Sequence, residues 1–252
     1  MWLSGKVPRD AFFALAVMEI ADMYTRDLGD DEIVLSVDEK TNLQPRPRQA
    51  PTKPARPDEP TRLEHEYRRD GAPNLFVAFN TRSGEVSANT FGRKRQGEFI
   101  EFLEQIETTT PEEIRKIHLI LDNVSVHKGK RVRKWLEKHP RMEFHHPPVH
   151  CSWMNQVEQW FGNLARKRLR IVDFPSKEAL GVAMMEFVAE WNERAHPFRW
   201  TYASFEKILK KCDRVPEIGV AAAQGIVMET EKTGAPSSSI VERAPTELPL
   251  AA

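Results

Sequence analysis

The chain has 252 residues, 40% hydrophobic and 29% charged, and its 37 Lys plus Arg balance 37 Asp plus Glu, for a formal net charge of zero. That length carries one well-buried domain with appendages, or two small ones, and the balanced total by itself points to no acidic or basic partner. Two cysteines, Cys151 and Cys212, exclude a disulfide framework and fit a reducing cytoplasm, and the apolar run "AFFALAVM" at 11–18 is too short to span a bilayer.

Taken in order, Asp10 is placed to cap a helix running through "AFFALAVMEIADMY". "EIVLSVDEK" follows as a buried strand that ends near Asp38. Residues 41–60 hold six prolines and four basic residues, a density that predicts an extended loop. "NLFVAFN" and "EVSANTF" flank the turn signal "TRSGE" (Thr81 to Glu85) and predict an antiparallel hairpin. Phe99, Phe102, Leu103 and Ile106 recur at helical spacing. "KIHLILDN" is a second buried strand closing on an aspartate, Asp122. A basic helix, "KGKRVRKWLEKH", comes next, then a short strand "MEFHH" and a Pro-rich loop. "SWMNQVEQWFGNLARKRLR" (Ser152 to Arg170) reads as one helix, and Ser176 caps another, "SKEALGVAMMEFVAEWNER". From Ala221 onward small and polar residues dominate, which predicts a disordered tail. The order predicts an α/β fold, a mixed sheet covered by helices.

Three carboxylates stand out. Asp38 and Asp122 each close a buried strand, and if those strands lie parallel, their carboxyl ends share one edge, where such sheets bind ligands. Glu158 stands beside Val157, Trp160 and Phe161, where a carboxylate is costly unless something positive compensates it. Three acids brought together repel one another, and oxygen ligands of this kind suit Mg²⁺ or Mn²⁺, a pair of which clamps both oxygens of a phosphoryl transfer. Each acid alone reads equally as a turn, cap or solvated residue, and spacing does not prove that they converge.

"SVDEKTNLQP", "HLILDNVSVHKGKRVRKWL" and "HCSWMNQVEQWFGNLARKRLR" together resemble the catalytic domain of bacterial insertion-sequence transposases, in particular insertion sequence family 630 of the mariner superfamily. The resemblance runs from about residue 15 to Cys212. It implies a ribonuclease H-like fold and a catalytic, metal-binding triad of Asp38, Asp122 and Glu158 holding two Mg²⁺ ions, with Mn²⁺ able to substitute. Asn123 and His127 match the family's "DN…H" block, and Asn155 and Gln156 its "NQ", so these four are expected to support the site. The implied reaction is nicking at transposon ends, then attack of the freed 3′-hydroxyl on target DNA, usually at a TA dinucleotide. The implied organisation is a helical remnant over 1–30, the catalytic domain over 31–212 with a Pro/Arg-rich loop at 41–70, and the tail at 213–252. Family members carry a longer helix-turn-helix region before the first aspartate, so a separate recognition chain from an upstream frame is an expected partner. A homodimer and a cytoplasmic, nucleoid-associated location in a bacterium complete the implied picture, with no membrane.

The basic runs extend that reading. Lys128, Lys130, Arg131, Arg133 and Lys134, with Arg166, Lys167, Arg168 and Arg170, read either as solvated faces or as phosphate contacts, and a DNA-cutting enzyme needs the second. "HHPPVHC" at 145–151 offers zinc-type ligands, but its spacing matches no common zinc framework. Three other functions remain compatible with the sequence: a hydrolytic nuclease on the same fold, a decayed or domesticated DNA-binding fragment, and a zinc-binding interaction module.

Overall fold

"EIVLSVDEK" forms β1 (Glu32–Lys40), the central strand of a five-stranded sheet. The computed structural model describes residues 10–45, 47, 53–61, 71–170, 173–210 and 212; the tail expected at 213–252 and part of the 41–70 loop lie outside them. On one side β1 pairs antiparallel with β2 (Asn74–Asn80), which pairs antiparallel with β3 (Val86–Phe91). On the other side β1, β4 (Lys116–Leu121) and β5 (Met142–His145) are parallel, so the order is β3-β2-β1-β4-β5. A strand paired on both sides and covered on both faces has no solvated face, and Val34 through Asp38 are all buried.

The helices sort onto the two faces by strand alternation. Leu35 and Val37 of β1, with Leu119 and Leu121 of β4, pack against α2 (Gln96–Thr109) and α3 (Lys130–Leu136). The opposite face sends Val34 and Ile120 against α1 (Ala11–Thr25) and α6 (Tyr202–Leu209). On that side too, Leu75, Val77 and Phe79 of β2 meet α4 (Val157–Leu164) and α5 (Lys177–Asn192). The spacing expected for α2 holds, since Phe99, Phe102, Leu103 and Ile106 are all buried. Both expected caps form: the Phe13 amide donates to Asp10 at 3.0 Å and the Ala179 amide to Ser176 at 3.1 Å. Among the described residues no helix is long and apolar enough to cross a membrane.

The hairpin turns where the sequence placed it. Asn80 accepts the amides of Arg82 and Ser83 at 2.9 and 3.1 Å, and Gly84 takes a φ of 79°. A Cβ on Gly84 would lie 2.1 Å from the backbone carbon of His196. Gly84→Ala therefore combines left-handed strain with overlap against main chain and is expected to cost at least ~2 kcal/mol. A urea midpoint equal to the parent's would show that the 196 segment yields freely.

The single helix expected over Ser152 to Arg170 is three pieces: a 3-10 turn (Ser152–Met154), α4, and a π-helical turn (Ala165–Leu169). The break falls at Asn155, which is extended at ψ 111° and whose side-chain amide donates to the Val37 carbonyl at 2.8 Å. A side chain that hydrogen-bonds backbone elsewhere competes with the helix ladder. The break starts α4 at Val157, which places Glu158 in its first turn.

Candidate active site

The register of the parallel strands decides the first contact. Val37 is level with Leu121, so Asp38 and Asp122 follow side by side at the carboxyl edge. Asp38 is 8% exposed and accepts the Glu39 amide at 2.7 Å. Burial pushes its carboxyl up to about 7, against that hydrogen bond, and the negative charges of Asp122, Glu158 and Glu39 add to the rise. The three acids singled out in the sequence thus act on one another at one edge.

Glu158 corrects the sequence reading in one respect. It is exposed, while Val157, Trp160, Phe161 and Leu164 take the buried stripe of α4. At about 100° per residue those four positions share a side from which Glu158 turns away. The carboxylate that suffers desolvation is Asp38 instead.

His127 holds the edge together from beneath. It is buried, with Nδ1 3.0 Å from Asp122 and Nε2 2.9 Å from Glu39, and its ring packs on Phe99 at 4.4 Å. Burial alone would depress its pKa, but the hydrogen bonds and charges of Asp122 and Glu39 outweigh burial and push it up to about 9. Burial would likewise raise Asp122, yet the hydrogen bond and charge of His127 keep it below its ordinary value. Glu39, whose side chain is 4% exposed, is the residue that sequence reasoning missed. One signal was present: alternation turns Glu39 to the buried face opposite Asp38, where a carboxylate needs a cation.

The other supporting residues act on backbone. Asn123 donates to the Pro147 carbonyl at 2.5 Å and accepts Lys128 Nζ at 2.5 Å, which ties the loop after β4 to the loop after β5. Ser36 donates to Asn155 and accepts the Val157 amide at 2.8 Å, satisfying one orphan donor at the start of α4. Tyr24 donates to the Met154 carbonyl and accepts the Gln156 amide, at 2.9 and 3.2 Å, and the Gln156 side chain donates to the Phe198 carbonyl at 3.3 Å. Asn155 and Gln156, both buried, therefore lock the turn that presents Glu158.

Of the basic residues, Lys128, Lys130, Arg131, Arg133 and Lys134 are exposed along α3 and the loop before it, and Arg166, Lys167 and Arg170 beyond α4. Arg168 differs: it pairs with Glu190 and lies over the Phe187 ring at 5.6 Å, so its guanidinium is engaged by α5. Lys94 was not anticipated, yet its charge helps hold Asp122 down, and "RKR" at 93–95 was the signal. The "HHPPVHC" run does not converge on a site. His146 hydrogen-bonds the Leu121 and Asp122 carbonyls, His150 is exposed, and Cys151 is buried in the α1 and α6 core.

Residues 33–181, from β1 into α5, match the model of the DDE superfamily endonucleases, which is more than half of the chain and includes all three acids. The chain belongs to that family. Over 85 residues this DDE endonuclease chain is 31% identical to the insertion element IS630 uncharacterized 39 kDa protein of Shigella sonnei. That stretch is 34% of this chain and 24% of that protein, so the match spans about a quarter of the relative's length. The crystal structure of the Mos1 mariner paired end complex with Mn is similar at a TM-score of 0.52 and 15% identity, over 88% of this chain and 67% of that one. The shared architecture is the ribonuclease H-like mixed sheet flanked by helices.

Proposed function

We propose that this chain is the catalytic domain of an insertion-sequence transposase, in which Asp38, Asp122 and Glu158 hold two Mg²⁺ ions and cut and rejoin DNA. The observation that carries the reading is Asp38, buried at the sheet edge and pushed up to about 7 by that burial and by the neighbouring acids. Three carboxylates ionised together there need cations, and a donor set made of oxygen alone fits Mg²⁺, with Mn²⁺ able to substitute. Bound there, the ions supply Lewis-acid stabilisation to the attacking and departing oxygens of a phosphodiester.

The chain's own residues prepare that chemistry. His127 has both ring nitrogens committed to carboxylates, so it orients Asp122 and does not carry protons to substrate. Asn155, Gln156, Ser36 and Tyr24 set the start of α4 and with it the direction of Glu158. Lys94 and Lys128 flank Asp122, and the exposed cations of α3 and of Arg166, Lys167 and Arg170 neutralise phosphates without reading bases. Arg168 is left out of that DNA surface. The choice of transposon end falls to a separate helix-turn-helix chain, and a TA dinucleotide is the target that the family reading supplies.

The test is an oligonucleotide with a precut 3′-hydroxyl end, offered with a target plasmid. Joined product in Mg²⁺ or Mn²⁺, lost on chelation, is expected. Hydrolysis without joining would make the chain a nuclease only, and cleavage surviving exhaustive chelation would sink the metal assignment. In the same preparations, replacing Lys130, Arg131 and Lys134 by Ala should weaken binding to all sequences. It should also flatten the slope of log affinity against log salt by roughly 0.9 for each phosphate no longer neutralised. A parent-like slope would make α3 a solvated face.

A further inference from the structure

A second cluster of metal-type ligands lies away from the three acids, where β4 and β5 pair under α1. The parallel register sets His118 beside Glu143 and Ile120 beside His145, so His118, Glu143 and His145 project from one face of the sheet. One ligand atom from each lies within 4.8 Å of the others. His118 Nδ1 is 3.0 Å from His145 Nε2 and 3.7 Å from a Glu143 oxygen, and His145 Nε2 is 4.0 Å from the other oxygen. Ligand atoms around a tetrahedral zinc, each about 2.0–2.1 Å from the ion, lie about 3.3 Å apart, and the three distances bracket that value.

We propose that His118, Glu143 and His145 form a separate binding site for a divalent transition-metal ion of the zinc type, which pins α1 and the edge strand β5 to the sheet. Two imidazoles with one carboxylate are an established zinc donor set, and a fourth position stays open to water. Here the Glu143 side chain is 38% exposed, so solvent reaches the cluster from its side. His145 Nδ1 lies 2.8 Å from Glu19 on α1. A carboxylate on the far nitrogen is the arrangement that fixes a ligating histidine, leaving its Nε2 lone pair turned toward the ion. His118 turns its Nδ1 to the same point, 3.0 Å from His145 Nε2.

This site is distinct from the acidic edge. His118 and Asp122 are four residues apart along β4, about 13 Å at strand rise, too far to share an ion. The chemistry differs as well, since imidazole nitrogen favours zinc, copper, nickel or cobalt over Mg²⁺. Of the three ligands the sequence flagged only His145, within "HHPPVHC", because His118 and His145 meet only across strands.

The test uses the full chain carrying Asp38→Asn and Asp122→Asn, so that the acidic edge does not compete, and Co²⁺ as the probe. One equivalent is expected to bind with the visible ligand-field bands of a tetrahedral ion and to be displaced by Zn²⁺. Glu143→Gln and Glu19→Gln involve partly exposed side chains, so both variants are expected to fold. The first should weaken Co²⁺ at least ~10-fold by removing a ligand, and the second by roughly 10–100-fold by releasing His145. Absence of the bands, or parent affinity in both variants, would overturn the site.

Discussion

Asp38→Asn is expected to lower Mg²⁺-supported nicking by at least ~1000-fold, the upper scale for removing one electrostatic group that acts in the transition state. The same change should stabilise the metal-free fold, and the sign follows from linkage. Burial and the neighbouring acids raise Asp38 from an ordinary 3.8 to about 7 in the folded chain. Between those two values the folded state holds more protons than the unfolded state, so stability falls as pH rises through that window. Above pH 7 the loss is complete, at about 4 kcal/mol. Asparagine has no such titration, so the parent's urea midpoint should decline relative to the variant's over the window, the histidines that titrate there being common to both. Mg²⁺ should raise the parent's midpoint at pH 8 and leave the variant's nearly unchanged. Parent-like nicking by Asp38→Asn would end the triad assignment. A parent-minus-variant difference without pH slope would mean that Asp38 is solvated.

Glu39→Gln is expected to be the most destabilising charge substitution. His127 is fully enclosed between Glu39 and Asp122, and breaking a buried pair by removing one partner costs roughly 3–5 kcal/mol. The raised pKa of His127 gives a second signature. Its contribution is present below pH 6.5 and is lost as pH rises through about 9, so the parent weakens in alkali and the variant does so less. Loosening His127 also frees Asp122, and a 10–100-fold loss in metal affinity or nicking should follow. The measurement is urea unfolding across pH beside a Mg²⁺ titration of nicking. A stability loss under ~1 kcal/mol would show that the pair is not sealed from water.

The sequence by itself carried what is local or periodic. The apolar runs of β1 and β4, the helical spacing of Phe99 to Ile106, the caps at Asp10 and Ser176 and the turn at Gly84 depend on neighbours within a few residues, and all formed. The three ordered blocks also identified the family, because strand ends and helix starts are marked locally. Tertiary structure decided which carboxylate is desolvated, since only the strand register sets Asp38 beside Asp122 and buries it. It decided that the helix breaks at Asn155, because the competing acceptor sits on β1, 118 residues away. It joined Glu39 to His127 across 88 residues and His118 to His145 across 27, withdrawing both pairs from water. It set Arg168 against Glu190 and the Phe187 ring. In each case a polar group took its partner from another element, and burial decides the strength of such a pair in a way that no spacing along the chain encodes.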